Sequence, residues 1–172
     1  PIWSTIVVVV AGVLLLRRRL LVAVIVDSGI ATRRIRTDRY EHTVRALVAT
    51  VLVALPIPLL MFYLGWVLGR LPGTSDWMRG LSSGLVYSSV LALGLWFLAA
   101  VCRPKGLGEA HFGWRAAALS RFRRGIHGFL IVFNPGILLL SCTRHESSPV
   151  YLDSLGRVTF MVMFLWMTRL LW

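Results

Sequence analysis

Long apolar runs recur along this chain, and about 20 such residues rising 1.5 Å each are what an α-helix needs to cross the hydrocarbon core of a bilayer. Five of them can be drawn, over residues 2–26, 44–69, 80–102, 125–142 and 155–172. The expected fold is therefore all-α: a polytopic transmembrane helical bundle with about five spans, forming a single membrane domain over residues 1–172. The first run is the most interrupted, because Arg17, Arg18 and Arg19 cut it. Residues 20–26 then continue the helix, re-enter the membrane or lie along its surface. The start at Pro1 lacks the basic region and small-residue cleavage site of a secretory signal, so the chain is expected to be a fragment of something longer.

Charge pulls in another direction. Nineteen Lys and Arg against seven Asp and Glu give a net charge of +12, a balance that suits a nucleic-acid binder. In a chain that is 57% apolar, the placement of those cations decides the matter. Fifteen of the nineteen fall on one side of the five-span topology: Arg17 to Arg19 where the first run is cut, Arg33, Arg34, Arg36 and Arg39 before the second span and Arg45 in its first turn, Arg103, Lys105, Arg115, Arg121, Arg123 and Arg124 between the third and fourth, and Arg169 at the end. Only Arg70, Arg79, Arg144 and Arg157 fall on the other. Basic residues in short loops stay cytoplasmic. The chain start is thus expected outside, with the Arg-rich loops and the C-terminal end inside, where they meet anionic lipid headgroups. No nucleic-acid partner is expected.

Within the spans, Pro56 and Pro58 sit near the middle of the second and Asn134-Pro135-Gly136 inside the fourth. Proline removes a backbone donor and clashes with the carbonyl four residues back, so both sites predict bent helices. Pro56, Pro58, Pro135 and Gly136 are hinge candidates; a static kink satisfied by neighbouring helices is the alternative. Gly80, Gly84, Ser88 and Ala92 follow one another at four-residue spacing, and Gly65 and Gly69 do the same at the end of the second span. Small residues let helix backbones approach closely in lipid, which predicts a tight hairpin of the second and third spans. Trp3, Trp66, Trp77 and Trp114 fall at the expected interfaces. Asp153 with Arg157 reads as a helix cap and an i,i+4 ion pair opening the fifth span.

Catalytic chemistry is missing from this pattern. There is no HExxH, no Cys/His cluster at metal spacing, and no Ser/His/Asp or paired-carboxylate arrangement. Cys102 and Cys142 fall at opposite ends of their spans, too far apart for a disulfide. No enzyme activity, cofactor or metal is expected, and no acid is buried in a span to relay protons.

Three stretches carry a resemblance. They are His42-Thr43-Val44-Arg45-Ala46-Leu47 leading to Ala54-Leu55-Pro56-Ile57-Pro58-Leu59, then Cys102-Arg103-Pro104-Lys105-Gly106-Leu107-Gly108-Glu109-Ala110-His111-Phe112-Gly113-Trp114, and Asp153-Ser154-Leu155-Gly156-Arg157. Together they resemble the inner-membrane domain of the large MscS-like mechanosensitive channels of the MscK/MscM (KefA) type. The middle stretch is the most specific, and marks Arg103, Pro104, Gly106, Gly108, His111, Phe112, Gly113 and Trp114 as its motif. The resemblance implies a homo-oligomeric, heptameric channel of the bacterial inner membrane that opens under bilayer tension during hypoosmotic shock. It also implies partners in the rest of the same channel chain and in the lipid. The Gly/Ala-rich pore helix of that family does not occur in these residues, so the expected role is a peripheral domain that senses or modulates tension. A secondary transporter, or a membrane scaffold without a gating role, are the rival readings.

Overall fold

The computed structural model describes residues 2–34, 39–145 and 152–171, and every regular element among them is helical. In order these are α1 (Ile2–Leu16), α2 (Arg18–Arg34), α3 (Arg39–Ala54), α4 (Pro56–Leu68), α5 (Asp76–Val101), α6 (Leu107–Ala110), α7 (Ala116–His145) and α8 (Arg157–Leu171). A π-helical turn over Leu152–Gly156 leads into α8.

Two of the helices, Asp76–Val101 and Ala116–Arg144, are long and apolar enough to cross a bilayer. α3 and α4 reach that length together, bent by 46° at their junction, which makes three crossings at most among the described residues. Five spans are thus more than the helices themselves supply. α1 and α8 hold 15 residues each. At 1.5 Å per residue that is about 22 Å, short of a hydrocarbon core of about 30 Å. The Arg triplet marks the end of α1 without cutting the hydrogen-bond ladder. Arg17 N–H still donates to Val13 O at 2.9 Å, and Leu21 N–H to Arg17 O at 3.0 Å.

The chain divides into two compact units. One takes in the residues up to Ile57 together with Leu93–Ile126; the other takes in Pro58–Ala92 and the residues from His127 onward. α5 and α7 each contribute to both.

The first unit is built on alanine. Ala46, Ala49 and Ala100 are buried, with Ile25 and Val53, where α2, α3 and the end of α5 meet. Side chains this small let helix backbones approach, which is how packing is gained where lipid offers no hydrophobic drive. Hydroxyls inside this contact satisfy themselves on the preceding turn. Thr50 Oγ1, fully buried, donates to Ala46 O at 2.7 Å, and Ser28 Oγ to Val24 O at 2.7 Å.

In the second unit, α5 presents small residues to two different neighbours. A Cβ on Gly65 would lie 2.8 Å from Ser82 O, and Ser82 Oγ donates to Gly65 O at 2.8 Å. Gly69 meets the same serine. Gly80 and Gly84 face elsewhere: a Cβ on Gly80 would lie 2.6 Å from Cys142 Cα, and one on Gly84 3.2 Å from Leu138 Cα, both on α7. The two glycine stripes therefore do not meet each other, as a simple hairpin of small faces would require. Ser82 is two residues from Gly80, about 200° round the helix, so α4 and α7 flank α5 on different sides.

Large apolar side chains remain exposed along α1, α3, α5 and α8, among them Trp3, Val48, Tyr87, Phe160 and Leu165. A water-soluble surface does not carry apolar area on this scale; a lipid-facing one does.

Candidate functional site

The loop that joins α5 to α7 is the most elaborately built part of the first unit. Arg103 N–H donates to Ala100 O at 3.2 Å as α5 ends, and Gly106 N–H donates to Arg103 O at 2.9 Å. Lys105 takes a left-handed φ of 56°, and its N–H is held by Glu109 Oε2 at 2.7 Å. A lysine in that region of backbone space is uncommon and costs free energy, so the glutamate four residues on offsets part of the strain. The single turn of α6 follows. Gly113, at φ 67°, then swings the chain back so that Trp114 N–H donates to Gly108 O at 3.0 Å. Glycine is needed at 113 because that φ is costly for any residue with a Cβ.

Gly106 and Gly108 serve close approach instead. A Cβ at Gly106 would sit 2.8 Å from Arg103 O, and one at Gly108 3.0 Å from Val101 O and 3.1 Å from Trp114 Cε3. The loop is pinned to α2 and α3 from outside. A Cβ on Gly29 of α2 would fall 2.6 Å from Ala110 Cβ, and Leu107 packs with Ala46 and Val101. Thr43 Oγ1 and His111 Nδ1 share a hydrogen bond of 3.1 Å. His111 Nε2 stays buried with no hydrogen-bond partner. Burial first, and His42 second, push this imidazole below its ordinary range. At neutral pH it is uncharged.

Two aromatic rings face outward from the same loop. Phe112 and Trp114 stack with centroids 5.6 Å apart, and more than half of each is exposed. Pro104 is exposed beside them in the sequence motif. Arg103 is half-buried, and its guanidinium is held below the ordinary value by burial, then by the charges of Arg123 and Arg18.

The hinge candidates differ from one another. Pro56 opens α4 at the 46° break, with Pro58 in the same turn, whereas Pro135 lies inside α7, which runs through it. Gly136 is buried against Met163 of α8. Asn134 Oδ1, next to that proline, is buried with no hydrogen-bond partner. Ser88 is fully buried on α5, and Gly65, Gly69, Gly80 and Gly84 lie at the contacts given above. The cap expected at Asp153 departs from the sequence reading: Leu152–Gly156 forms a π-helical turn and α8 starts only at Arg157. The Asp153 side chain, and with it the expected ion pair to Arg157, lies outside the described residues.

Thr43, Gly29 and Glu109 are site residues that sequence reasoning passed over. Glu109 carried a signal, four residues from Lys105; Gly29 carried none, since its role depends on a helix 80 residues away. The structure also brings together two of the stretches that carry the family resemblance, 42–47 and 102–114, through Thr43 and His111 and through Ala46 and Leu107. Among the described residues no group of three His, Cys, Asp or Glu side chains is placed to hold a metal ion.

Across residues 1–172 the sequence matches the family model described as mechanosensitive ion channel inner membrane domain 1. The chain belongs to this family. It is a family of channel membrane domains and not of enzymes, and the apolar helices fit residence in a membrane. The miniconductance mechanosensitive channel MscM of Escherichia coli (strain K12) is 28% identical over 133 residues, which is 75% of this chain. The aligned stretch makes up 12% of MscM, so the chain spans a small part of that relative's length. No solved structure matches.

Proposed function

We propose that this inner membrane domain is the peripheral, lipid-facing part of a tension-gated channel, which senses or modulates membrane tension during hypoosmotic shock without forming the pore. The observation that carries the reading is the break between α3 and α4. Two helical halves, neither long enough to cross alone, meet at 46° over Pro56 in a domain whose family is mechanosensitive. Tension favours whichever arrangement occupies more membrane area, and a stimulus shifts an equilibrium only by its differential free energy. A segment whose two halves can change their angle offers such a difference. Membership of a channel family further supports a homo-oligomer, heptameric by resemblance, with the remainder of the same chain as its neighbour. The fifteen-to-four division of basic residues counts five spans; with the three crossings that the helices supply, the basic residues support the Arg-rich loops in the cytoplasm, and a periplasmic chain start and a cytoplasmic C-terminal end require the shorter α1 and α8 to cross as well.

Patch-clamp recording of the full-length channel with and without this domain is the test. Deletion is expected to shift the pressure threshold or the adaptation of the current. Unchanged threshold, conductance and adaptation would remove the sensing role and leave a scaffold. The scaffold reading has its own support in the close contacts of Gly80 and Gly84 of α5 with the α7 backbone.

A further inference from the structure

The span α5 ends at Val101, and the loop that follows brings a tryptophan back to that end. A Cβ on Gly108 would lie 3.0 Å from Val101 O, 3.1 Å from Trp114 Cε3 and 3.3 Å from Leu119 Cδ2, so the Trp114 ring sits level with the last turn of α5. At the end of a span the membrane gives way to water, and tryptophan is enriched at that depth. Trp114 stacks on Phe112, and the two are 51% and 56% exposed. The Gly113 turn at φ 67° and the bond from Trp114 N–H to Gly108 O fix the pair in place. Two large rings held rigidly outside the core call for an apolar neighbour.

Directly after Trp114 lies an open cavity of about 390 Å³, lined by Arg115, Ala117, Ala118 and Arg121. Its volume falls within the roughly 300–1,000 Å³ of small-molecule sites. Both arginines are exposed, and neither has an acidic partner among the described residues. Phe122, also exposed, stands four residues past Ala118 and so on the same face of α7. Residues 103–124 hold six basic side chains and one acid, Glu109, whose Oε2 accepts from the Lys105 N–H. Two cations around an alanine-lined hollow, with aromatic rings beside them at the end of a span, match an anionic head joined to apolar tails.

We propose that this surface anchors the α5–α7 loop to an anionic lipid leaflet: Arg115 and Arg121 take the phosphate of an acidic phospholipid in their cavity, and Phe112, Trp114 and Phe122 lie at the acyl boundary. Guanidinium forks match phosphate oxygens in charge and geometry. The rings add apolar contact that is indifferent to headgroup charge. Excess positive charge favours phosphatidylglycerol over phosphatidylcholine, whose own ammonium would join it. An acidic protein segment would answer the arginines but not three exposed rings at the end of a span. Because Thr43 and His111 tie the loop to α3, a lipid held here also fixes the first half of the broken span. The site rests on the lipid-facing reading of this domain and not on its response to tension.

The purified full-length channel in neutral detergent, titrated with a fluorescent short-chain phosphatidylglycerol, tests the site. R115Q/R121Q is expected to weaken binding about tenfold or more. R45Q/R124Q removes the same charge from exposed positions that do not line the cavity, and is expected to change binding less than about threefold. F112A is expected to weaken the phosphatidylglycerol and phosphatidylcholine analogues alike, by about threefold or more. Equal losses for the two arginine pairs would replace the site by a diffuse basic surface. Equal binding of the two lipids by wild type would overturn the anionic preference, and a loss in F112A confined to phosphatidylglycerol would remove the rings from the site. Displacement by inorganic phosphate at the lipid's own concentration would make the ligand a free anion and overturn the lipid. In cells, p-benzoylphenylalanine in place of Phe112 is expected to photo-cross-link to lipid; cross-links to protein instead would give the surface to a protein segment. Should R115Q/R121Q fold poorly, judged by melting without lipid, F112A and the cross-linking arm decide. Lipid binding reads this site and the pressure threshold reads tension sensing, so the two can fail separately.

Discussion

Three residues illustrate how much a single side chain or its absence weighs in this domain. Gly80 lies against the α7 backbone, where a Cβ would stand 2.6 Å from Cys142 Cα and 2.8 Å from Ser141 O, whereas Gly94 has nothing within 4 Å. Backbone cannot move aside as a flexible side chain can, so Gly80→Ala is expected to destabilise the protein by about 1–3 kcal/mol. Gly94→Ala, in open space on the same helix, is expected to be neutral or to gain up to about 1 kcal/mol from helix propensity. Thermal unfolding of the two variants in detergent checks the contrast, and equal shifts would deny the close contact. His111 supplies the pH dependence. Its folded value lies below the ordinary 6.5, so the unfolded chain binds the proton more readily. The contribution to stability is full above 6.5 and is lost as pH falls from there through the folded value. Melting of wild type is expected to drop across this acid range, and His111→Gln to flatten the drop; parallel curves would assign it elsewhere. Asn134 closes the set. Its buried Oδ1 has no partner, so Asn134→Leu is expected to raise stability by about 1 kcal/mol or more unless another part of the channel uses that oxygen.

Proline content predicted two bent elements; the structure breaks the chain at one, the α3–α4 junction, while α7 runs on through the other. At the α3–α4 junction Pro56 and Pro58 remove donors to Leu52 and Ala54 within one turn, and the helix stops. Leu55 N–H still reaches Val51 O at 3.0 Å, so the break falls between Leu55 and Pro56. Pro135 removes one donor only, and α7 runs on through it. One lost bond costs about 1 kcal/mol and can be carried by a long helix packed on its neighbours; two in succession cannot. Restoring both donors in a Pro56→Ala, Pro58→Ala variant is expected to stiffen the segment and raise the pressure threshold in patch-clamp recordings. Pro135→Ala is expected to leave it near wild type. The reverse pattern would move the hinge to α7. Helix ends were less readable than helix interiors: the π-helical turn at Leu152–Gly156 delays α8 by several residues past the Asp153 cap that its sequence suggests.

At the level of the whole chain, the arginine partition makes a topological prediction. A cysteine replacing exposed Leu71, between α4 and α5, is expected to be labelled by a membrane-impermeant thiol reagent in intact cells, and one replacing exposed Ala116, at the start of α7, only after lysis. Both native thiols are buried, so the background is low. Labelling in the opposite order would invert the orientation. Membrane residence, helical class, the proline break and the identity of the basic loop could all be read along the line of residues. Each is a property of a run, set by hydropathy, backbone chemistry or charge within a few turns. Partners could not be read that way. That Gly80 meets Cys142, that Gly65 meets Ser82, that Gly29 meets Ala110 and that Thr43 reaches His111 all depend on contacts between distant segments. A four-residue stripe says that a helix face is small. Which neighbour comes to fill it is settled by close packing among several helices at once, where a residue's room depends on others 81 positions away, as between Gly29 and Ala110.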